Sequence, residues 1–547
     1  MACSPYILAF SLLVLAFVLR MFGVGDAPPR TDDLYNYIAA DSWVKHGTLA
    51  MADGFYTRTK YYTIATAWFM ELFGSSLGVA RILAAIGGAI LVPLVALWVR
   101  KVSNPLAAWI AGLILCVSYT SITWSQVVRF YSWHAIAMFV AAAAVYKMTI
   151  EFRTLRLLQW AFWLSCTLVA LGIGIHLQAI TALMVVALAA WVGLYLLGTG
   201  QLNFVFSSPK LLAASVLVVL LAAALALTFG HPILLYMWEE LRDTTAWSKV
   251  NQDNWLFYPD LLMHQLNWLF VLLPVAIIIA GRRYPTPTFF CTTVFAVCLG
   301  LHTIAGMKAL RYVIYLFPFM FAIWGLALSV VVPAFVAFVR QTLPASPAVL
   351  RTGTIAGVFL ALMAVSLVIV ADFRMTAAAI ARGIRTGDTF EPLEYGFGRD
   401  QVHWTPYLPL LRSLQRSGVF VVSDSNRAIY YLDDYDVLLS KTELSDIGTT
   451  EFMIDHRTGK PDISTGDSIR KVIGCYPKGA ILVTEAQWRS AYVPPDAADV
   501  IERETQAVPL PKPLNMRAYR WNHGNSKNEA ACQSVYKSVR VPIETVK

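Results

Sequence analysis

About eleven stretches of this 547-residue chain are apolar over, or close to, the roughly 20 residues that cross a bilayer's hydrocarbon core. They lie near residues 5–24, 77–99, 106–123, 131–148, 159–175, 178–197, 211–229, 265–280, 288–305, 312–332 and 353–371. Such runs leave few architectures open. A backbone in lipid must satisfy its own hydrogen bonds, and runs of this length do so as helices. The expected fold class is therefore mainly α: a polytopic membrane helical bundle of about eleven transmembrane helices over residues 1–371. Composition agrees, with 57% hydrophobic and only 14% charged residues. The first run has no basic n-region and no small-residue cleavage site, so it reads as a retained helix. The stretch 61–73 is amphipathic and too short to span. It reads as lying along the interface, as does part of 32–46.

Charge is distributed unevenly. Residues 1–371 carry 21 Lys/Arg and 12 Asp/Glu, whereas residues 372–547 carry 22 of each. The basic excess falls on alternate connections, at Arg100-Lys101, Lys147/Arg153/Arg156, Lys210, Arg282-Arg283 and Arg340/Arg351. That pattern marks the cytoplasmic side of a membrane protein and gives no reason to expect nucleic acid. It puts the N-terminus inside and, with an odd number of spans, residues 372–547 outside an inner (plasma) membrane. In that C-terminal part, 418–424 and 479–484 read as buried strands. The segments 408–417 and 467–474 read as helices preceding them, which predicts a soluble α/β domain. Cys475 and Cys532 are its only cysteines. In an extracytoplasmic compartment they are expected to pair. The other five cysteines lie in or beside apolar runs without metal-ligand spacing and read as small hydrophobes.

Two adjacent acids, Asp32 and Asp33, follow the first run where a helix leaves the membrane. One reading is capping: Thr31 or Asp32 precedes a good helix start, though a cap needs only one of them. The other is acid/base chemistry, with one carboxylate accepting a proton from a reacting hydroxyl or amine. Cations gather on the same outer face. Arg129 lies in Ser125-Gln126-Val127-Val128-Arg129-Phe130-Tyr131, with Gln126 and Tyr131 beside it. Lys308 and Arg311 lie three apart, as on one helical face, with Tyr312 next to them. Snorkelling explains any one of these cations alone; together they suit the grip of a phosphate. His176, Arg58, Lys60 and Arg81 are further candidates. The loop 230–264 adds Trp238, Trp247, Trp255 and Tyr258, which suit either an interfacial belt or sugar contact. A divalent cation, Mg or Mn, held by Asp32 with a loop acid is left open, but no ligand spacing demands one.

These motifs, in this order and on this side, resemble the GT-C membrane glycosyltransferases, especially the branch with aminoarabinose transferases and protein O-mannosyltransferases. Asp32-Asp33-Leu34-Tyr35 resembles that branch's Asp-Glu-x-x-Tyr. Residues 58–74 with Ala80-Arg81 resemble its interfacial segment and the Arg opening span two. Gln126, Arg129 and Tyr131 with His176, and Arg311-Tyr312 followed by Pro318, resemble its later motifs. The likeness covers about residues 5–330. It departs from the branch in having Asp33 for Glu, in lacking the Lys-Pro-Pro run, and in having Arg129-Phe130-Tyr131 where aminoarabinose enzymes carry another acid.

The resemblance implies a polyprenyl-phosphate-linked sugar donor and a lipid, glycan or protein acceptor. Asp32 or Asp33 would be the base, and Arg129, Lys308 and Arg311 would hold phosphate. Transfer of a whole glycan from a lipid diphosphate is a variant of the same chemistry. The rivals from other classes are a transporter or flippase for a lipid-linked saccharide and a polysaccharide-assembly scaffold. A transporter favours internal repeats and mid-membrane charges, neither of which the sequence displays.

Overall fold

A computed structural model describes residues 4–25, 29–152, 154–200, 253–342, 404–440, 452–455, 457–490, 492–523 and 529–539. The membrane part opens with α1 (Pro5–Met21), α2 (Thr31–His46), a two-residue-stranded hairpin of β1 (Ala50–Met51) and β2 (Gly54–Phe55), and α3 (Lys60–Phe73). Then come α4 (Leu77–Val102), α5 (Pro105–Val117), α6 (Tyr119–Ser125), α7 (Tyr131–Ile150), α8 (Leu157–Leu177) and α9 (Thr181–Gly198). After the undescribed stretch lie α10 (Phe257–Leu266), α11 (Trp268–Val271), α12 (Leu273–Arg283), α13 (Pro285–Ile304) and α14 (Phe317–Thr342).

Six described helices are long and apolar enough to cross a membrane: α4, α7, α8, α9, α13 and the 314–338 stretch ending in α14. A seventh arises if α5 and α6, bent by 59° at Ser118, form one broken span. The chain is a multi-pass membrane protein, but the expectation of eleven spans is only partly met. The runs at 211–229 and 353–371 lie outside the described residues. The runs at 5–24 and 265–280 yield shorter helices, α1 of 17 residues and α12 of 11. The run expected at 312–332 also starts late. Two 3-10 turns, Leu310–Tyr312 and Ile314–Leu316, precede α14. Pro318 stands in the first turn of α14, where its missing N–H costs no helical hydrogen bond.

The described C-terminal residues build a seven-stranded sheet in the order β5-β6-β4-β3-β7-β9-β8. Its strands are β3 (Val419–Val422), β4 (Val437–Leu439), β5 (Met453–Ile454), β6 (Pro461–Ile463), β7 (Lys478–Thr484), β8 (Gln506–Val508) and β9 (Met516–Asn522). The central β6, β4, β3 and β7 are parallel, while β5 pairs antiparallel with β6, β9 antiparallel with β7, and β8 antiparallel with β9. Helices α15 (Leu408–Gln415) and α16 (Ser425–Leu432) cover one face. On the other lie α17 (Gly466–Cys475), α18 (Pro495–Glu504) and α19 (Glu529–Val539). Strand alternation sends Val419, Val421 and Ile481 to one core and Phe420, Val422 and Leu482 to the other. Strands apolar on both faces are what a sheet covered on both sides requires. Both strands and both helices expected here are present.

Cys475 ends α17 and bonds to Cys532 on α19, across a sequence separation of 57. Closing a loop of that length restricts the unfolded chain by about 4 kcal/mol in the chain-entropy account. Cys475→Ser with Cys532→Ser is therefore expected to lower the domain's stability by about 2–4 kcal/mol. Denaturant unfolding followed by tryptophan fluorescence measures this. Thiol counting in denaturant should gain two reactive groups on reduction; no gain would contradict the bond.

Candidate active site

The site is built around the start of α2. Arg30, extended at φ −86°, is the N-cap, and its backbone N–H donates to Asp33 Oδ2 at 3.1 Å. Asp33 thus caps the helix from inside its first turn. The same Oδ2 accepts from Arg81 Nη2 at 2.6 Å, and Oδ1 accepts from the Val128 N–H at 2.6 Å. Asp33 is 0% exposed and Arg81 1%. Arg81 also donates to the Val24 carbonyl at 3.1 Å. One carboxylate thus ties together α2, α4 and the non-helical link between α6 and α7. Asp32 precedes it in the first turn of α2; its side chain lies outside the described residues.

One turn along α2, Asn36 is fully buried. Its Nδ2 donates to Thr59 Oγ1 (3.2 Å) and Thr63 Oγ1 (2.8 Å) at the head of α3. Its Oδ1 accepts from Arg129 Nη1 at 2.8 Å, and that nitrogen also donates to the Tyr56 hydroxyl at 2.7 Å. The Arg129 guanidinium lies 5.5 Å from the Tyr35 ring, which stacks on Tyr56 at 5.4 Å. Arg129 is 7% exposed. These contacts with α2 and the β1–β2 region are more than a snorkelling arginine makes.

Gln126 donates through Nε2 to the carbonyls of Arg20 (2.9 Å) and Phe22 (2.6 Å), which ends α1. Tyr131 packs edge-on to Trp124, in an apolar cluster with Tyr62, Phe130 and Ile314. Ile314 brings the segment after α13 to the same cluster. Arg58 and Lys60 are exposed at the head of α3, and exposed His176 lies 4.8 Å, ring to ring, from Tyr61.

Lys308 and Arg311 do not share a helical face. α13 ends at Ile304 with Ala305 extended, Lys308 lies in the irregular link, and Arg311 lies in the following 3-10 turn. The Arg311 guanidinium sits 5.2 Å from the ring of Tyr312. Lys308 is 3% exposed. Burial holds its ammonium below the usual lysine range, and Asp253 opposes that shift. The hydroxyl of buried Tyr258 accepts from the Ala309 N–H at 3.2 Å, which anchors the link.

Sequence reading passed over Arg20, which is wholly buried. It donates to Ser121 Oγ (2.9 Å), Ser125 Oγ (3.2 Å) and the carbonyls of Ala16, Leu115 and Cys116. The last two carbonyls end α5, where the bend at Ser118 breaks the helical ladder. A cation at a helix C-terminus answers both the orphaned acceptors and the dipole. The signal was available, since a lone arginine inside an apolar run needs a partner. Among the described residues, no group of three or more His, Cys, Asp or Glu converges as a metal cage. The loop acids Glu239, Glu240 and Asp243 lie outside them.

The C-terminal domain reaches this site. Tyr430 on α16 packs edge-on to Tyr37 of α2 at 5.5 Å. Burial raises the Tyr430 hydroxyl above its ordinary range, with Arg81 opposing the shift and Asp33 adding to it.

No family model and no curated protein matches the sequence. Among solved structures, ArnT from Cupriavidus metallidurans bound to undecaprenyl phosphate is similar with a TM-score of 0.58. It is 14% identical over 96% of this chain and 100% of that one. Its apo state is similar with a TM-score of 0.54 at 14% identity, over 95% and 99% of the two chains. The archaeal oligosaccharyltransferase AglB from Archaeoglobus fulgidus, in complex with an inhibitory peptide and a dolichol-phosphate, gives a TM-score of 0.54. It is 10% identical over 91% of this chain and 72% of that one. The chain therefore shares the fold of ArnT and AglB, the fold that the resemblance in its motifs implied.

Proposed function

We propose that this protein is an inverting membrane glycosyltransferase that moves a sugar from a polyprenyl-phosphate donor to an acceptor on the extracytoplasmic side. The observation that carries this reading is the start of α2. Asp33 is committed to three donors, so the first turn containing Asp32 is held in place within a GT-C fold. Asp32 is assigned as the base. It takes the proton of the acceptor hydroxyl or amine as the acceptor's lone pair attacks the anomeric carbon. The carbon–oxygen bond to phosphate breaks on the opposite face, and its electron pair leaves with the polyprenyl phosphate. Arg58, Lys60, Lys308 and Arg311 are assigned to that departing charge. Arg129, bound to Asn36 and Tyr56, is assigned to holding α2. ArnT bound to undecaprenyl phosphate and AglB with a dolichol-phosphate support a lipid-phosphate donor. The Cys475–Cys532 bond supports an oxidising compartment for the sheet domain.

The test is incubation of purified protein with a panel of radiolabelled polyprenyl-phosphate sugars and lipid-diphosphate glycans. Label should pass to acceptor with release of the lipid phosphate. Turnover only with diphosphate-linked glycans would select the oligosaccharyl variant. Passage of intact donor across vesicles without transfer would replace this reading by transport.

A further inference from the structure

We infer that Arg457, on the sheet domain, is a positioning residue for transfer; this deepens the proposed function and rests on it. Arg457 reaches 422 positions back along the chain, where Nη1 donates to the Tyr35 hydroxyl at 2.8 Å. Its guanidinium lies 5.3 Å from the Tyr35 ring. Tyr35 is one turn beyond Asp32 on α2. Its ring stacks on Tyr56, which accepts from Arg129, which in turn holds Asn36. One continuous chain of contacts thus runs from the sheet domain into the helix that carries the acidic pair.

Arg457 is itself held rigidly. Its N–H and Nε both donate to Asp455 Oδ1 at 3.2 Å. Asp455 Oδ2 accepts from Thr458 Oγ1 at 2.8 Å, and that oxygen accepts from the Tyr435 hydroxyl at 2.8 Å. A fixed guanidinium aimed at a neutral phenol is a device for orientation, since a salt bridge would bind more strongly.

Docking does not depend on Arg457's side chain. The seam beside it joins the Asp53 N–H to the Thr458 carbonyl at 2.8 Å and Lys460 Nζ to Asp53 Oδ2 at 3.1 Å. It is tight enough that a Cβ on Gly459, at φ +69°, would lie 2.6 Å from the Asp53 carbonyl carbon. These contacts are expected to keep the two parts together when the Arg457–Tyr35 contact is removed, so that the change falls on the aim of α2.

The experiment compares wild type, Arg457→Gln, Tyr35→Phe and their double variant, all as full chains. Misplacement of a reacting group by about 1 Å costs on the order of 100-fold. Either single change is therefore expected to lower kcat about 10–100-fold, with the donor KM within about twofold of wild type. The double variant should be no worse than the poorer single, because both remove one contact. Hydrogen exchange in 31–40 should quicken in Arg457→Gln, while exchange in β3 and β7 stays unchanged. Wild-type kcat in Arg457→Gln, additive losses, or unchanged exchange in 31–40 would each overturn the inference. If wild type itself transfers nothing, the transferase reading fails, and the exchange arm alone decides whether Arg457 holds α2.

Discussion

Asp32→Asn protein is expected to fold normally and to transfer sugar about 10²–10⁴-fold more slowly than wild type, the usual cost of losing a general base. Asparagine keeps the shape and serves a helix start about as well as aspartate, so capping alone would make the change nearly silent. What it removes is proton acceptance. Donor affinity should survive, because the cations assigned to phosphate lie elsewhere, at the head of α3 and in the link after α13. Turnover and donor binding measured side by side on folded protein separate the two accounts. Turnover near wild type would remove the base from the proposed mechanism.

The sequence could pair the two acids but could not divide their roles. Both sit in one turn with the same local chemistry, and the difference lies in partners far away in sequence. Arg81 is 48 positions from Asp33, and the Val128 N–H is 95. What length and periodicity control was legible. Helices α2 and α3, most of the described spans, and the adjacent strands β3 and β7 stand where the apolar patterns put them. What depends on local breaks was not. The bend at Ser118 lies inside a run expected as one helix, and the end of α13 at Ile304 leaves Lys308 in an irregular link and Arg311 in a 3-10 turn, off a shared face. Arg457 carried no signal, because nothing in its neighbourhood announces a contact across domains.

Asp33 calls for the opposite result to Asp32. Asp33→Ala is expected to destabilise the folded protein by about 3–5 kcal/mol, because it breaks the buried ion pair with Arg81. The loss shows as a fall in the thermal midpoint of detergent-solubilised protein, read by fluorescence-detected size exclusion, or as failure to recover a monodisperse peak. A compensating pair, Asp33→Leu with Arg81→Met, removes both charges of the pair and should recover part of the stability. Recovery stays incomplete because Asp33 also accepts from the Arg30 and Val128 N–H groups. Leaving a buried donor unsatisfied costs about 1–3 kcal/mol. If Asp33→Ala were as stable as wild type, the pair would be no anchor, and the division of labour with Asp32 would lose its footing. If instead Asp33→Ala loses folded protein and Asp32→Asn loses turnover in folded protein, the two acids have separate tasks. One carboxylate then fixes the helix against the bundle, and its neighbour takes the proton of the acceptor.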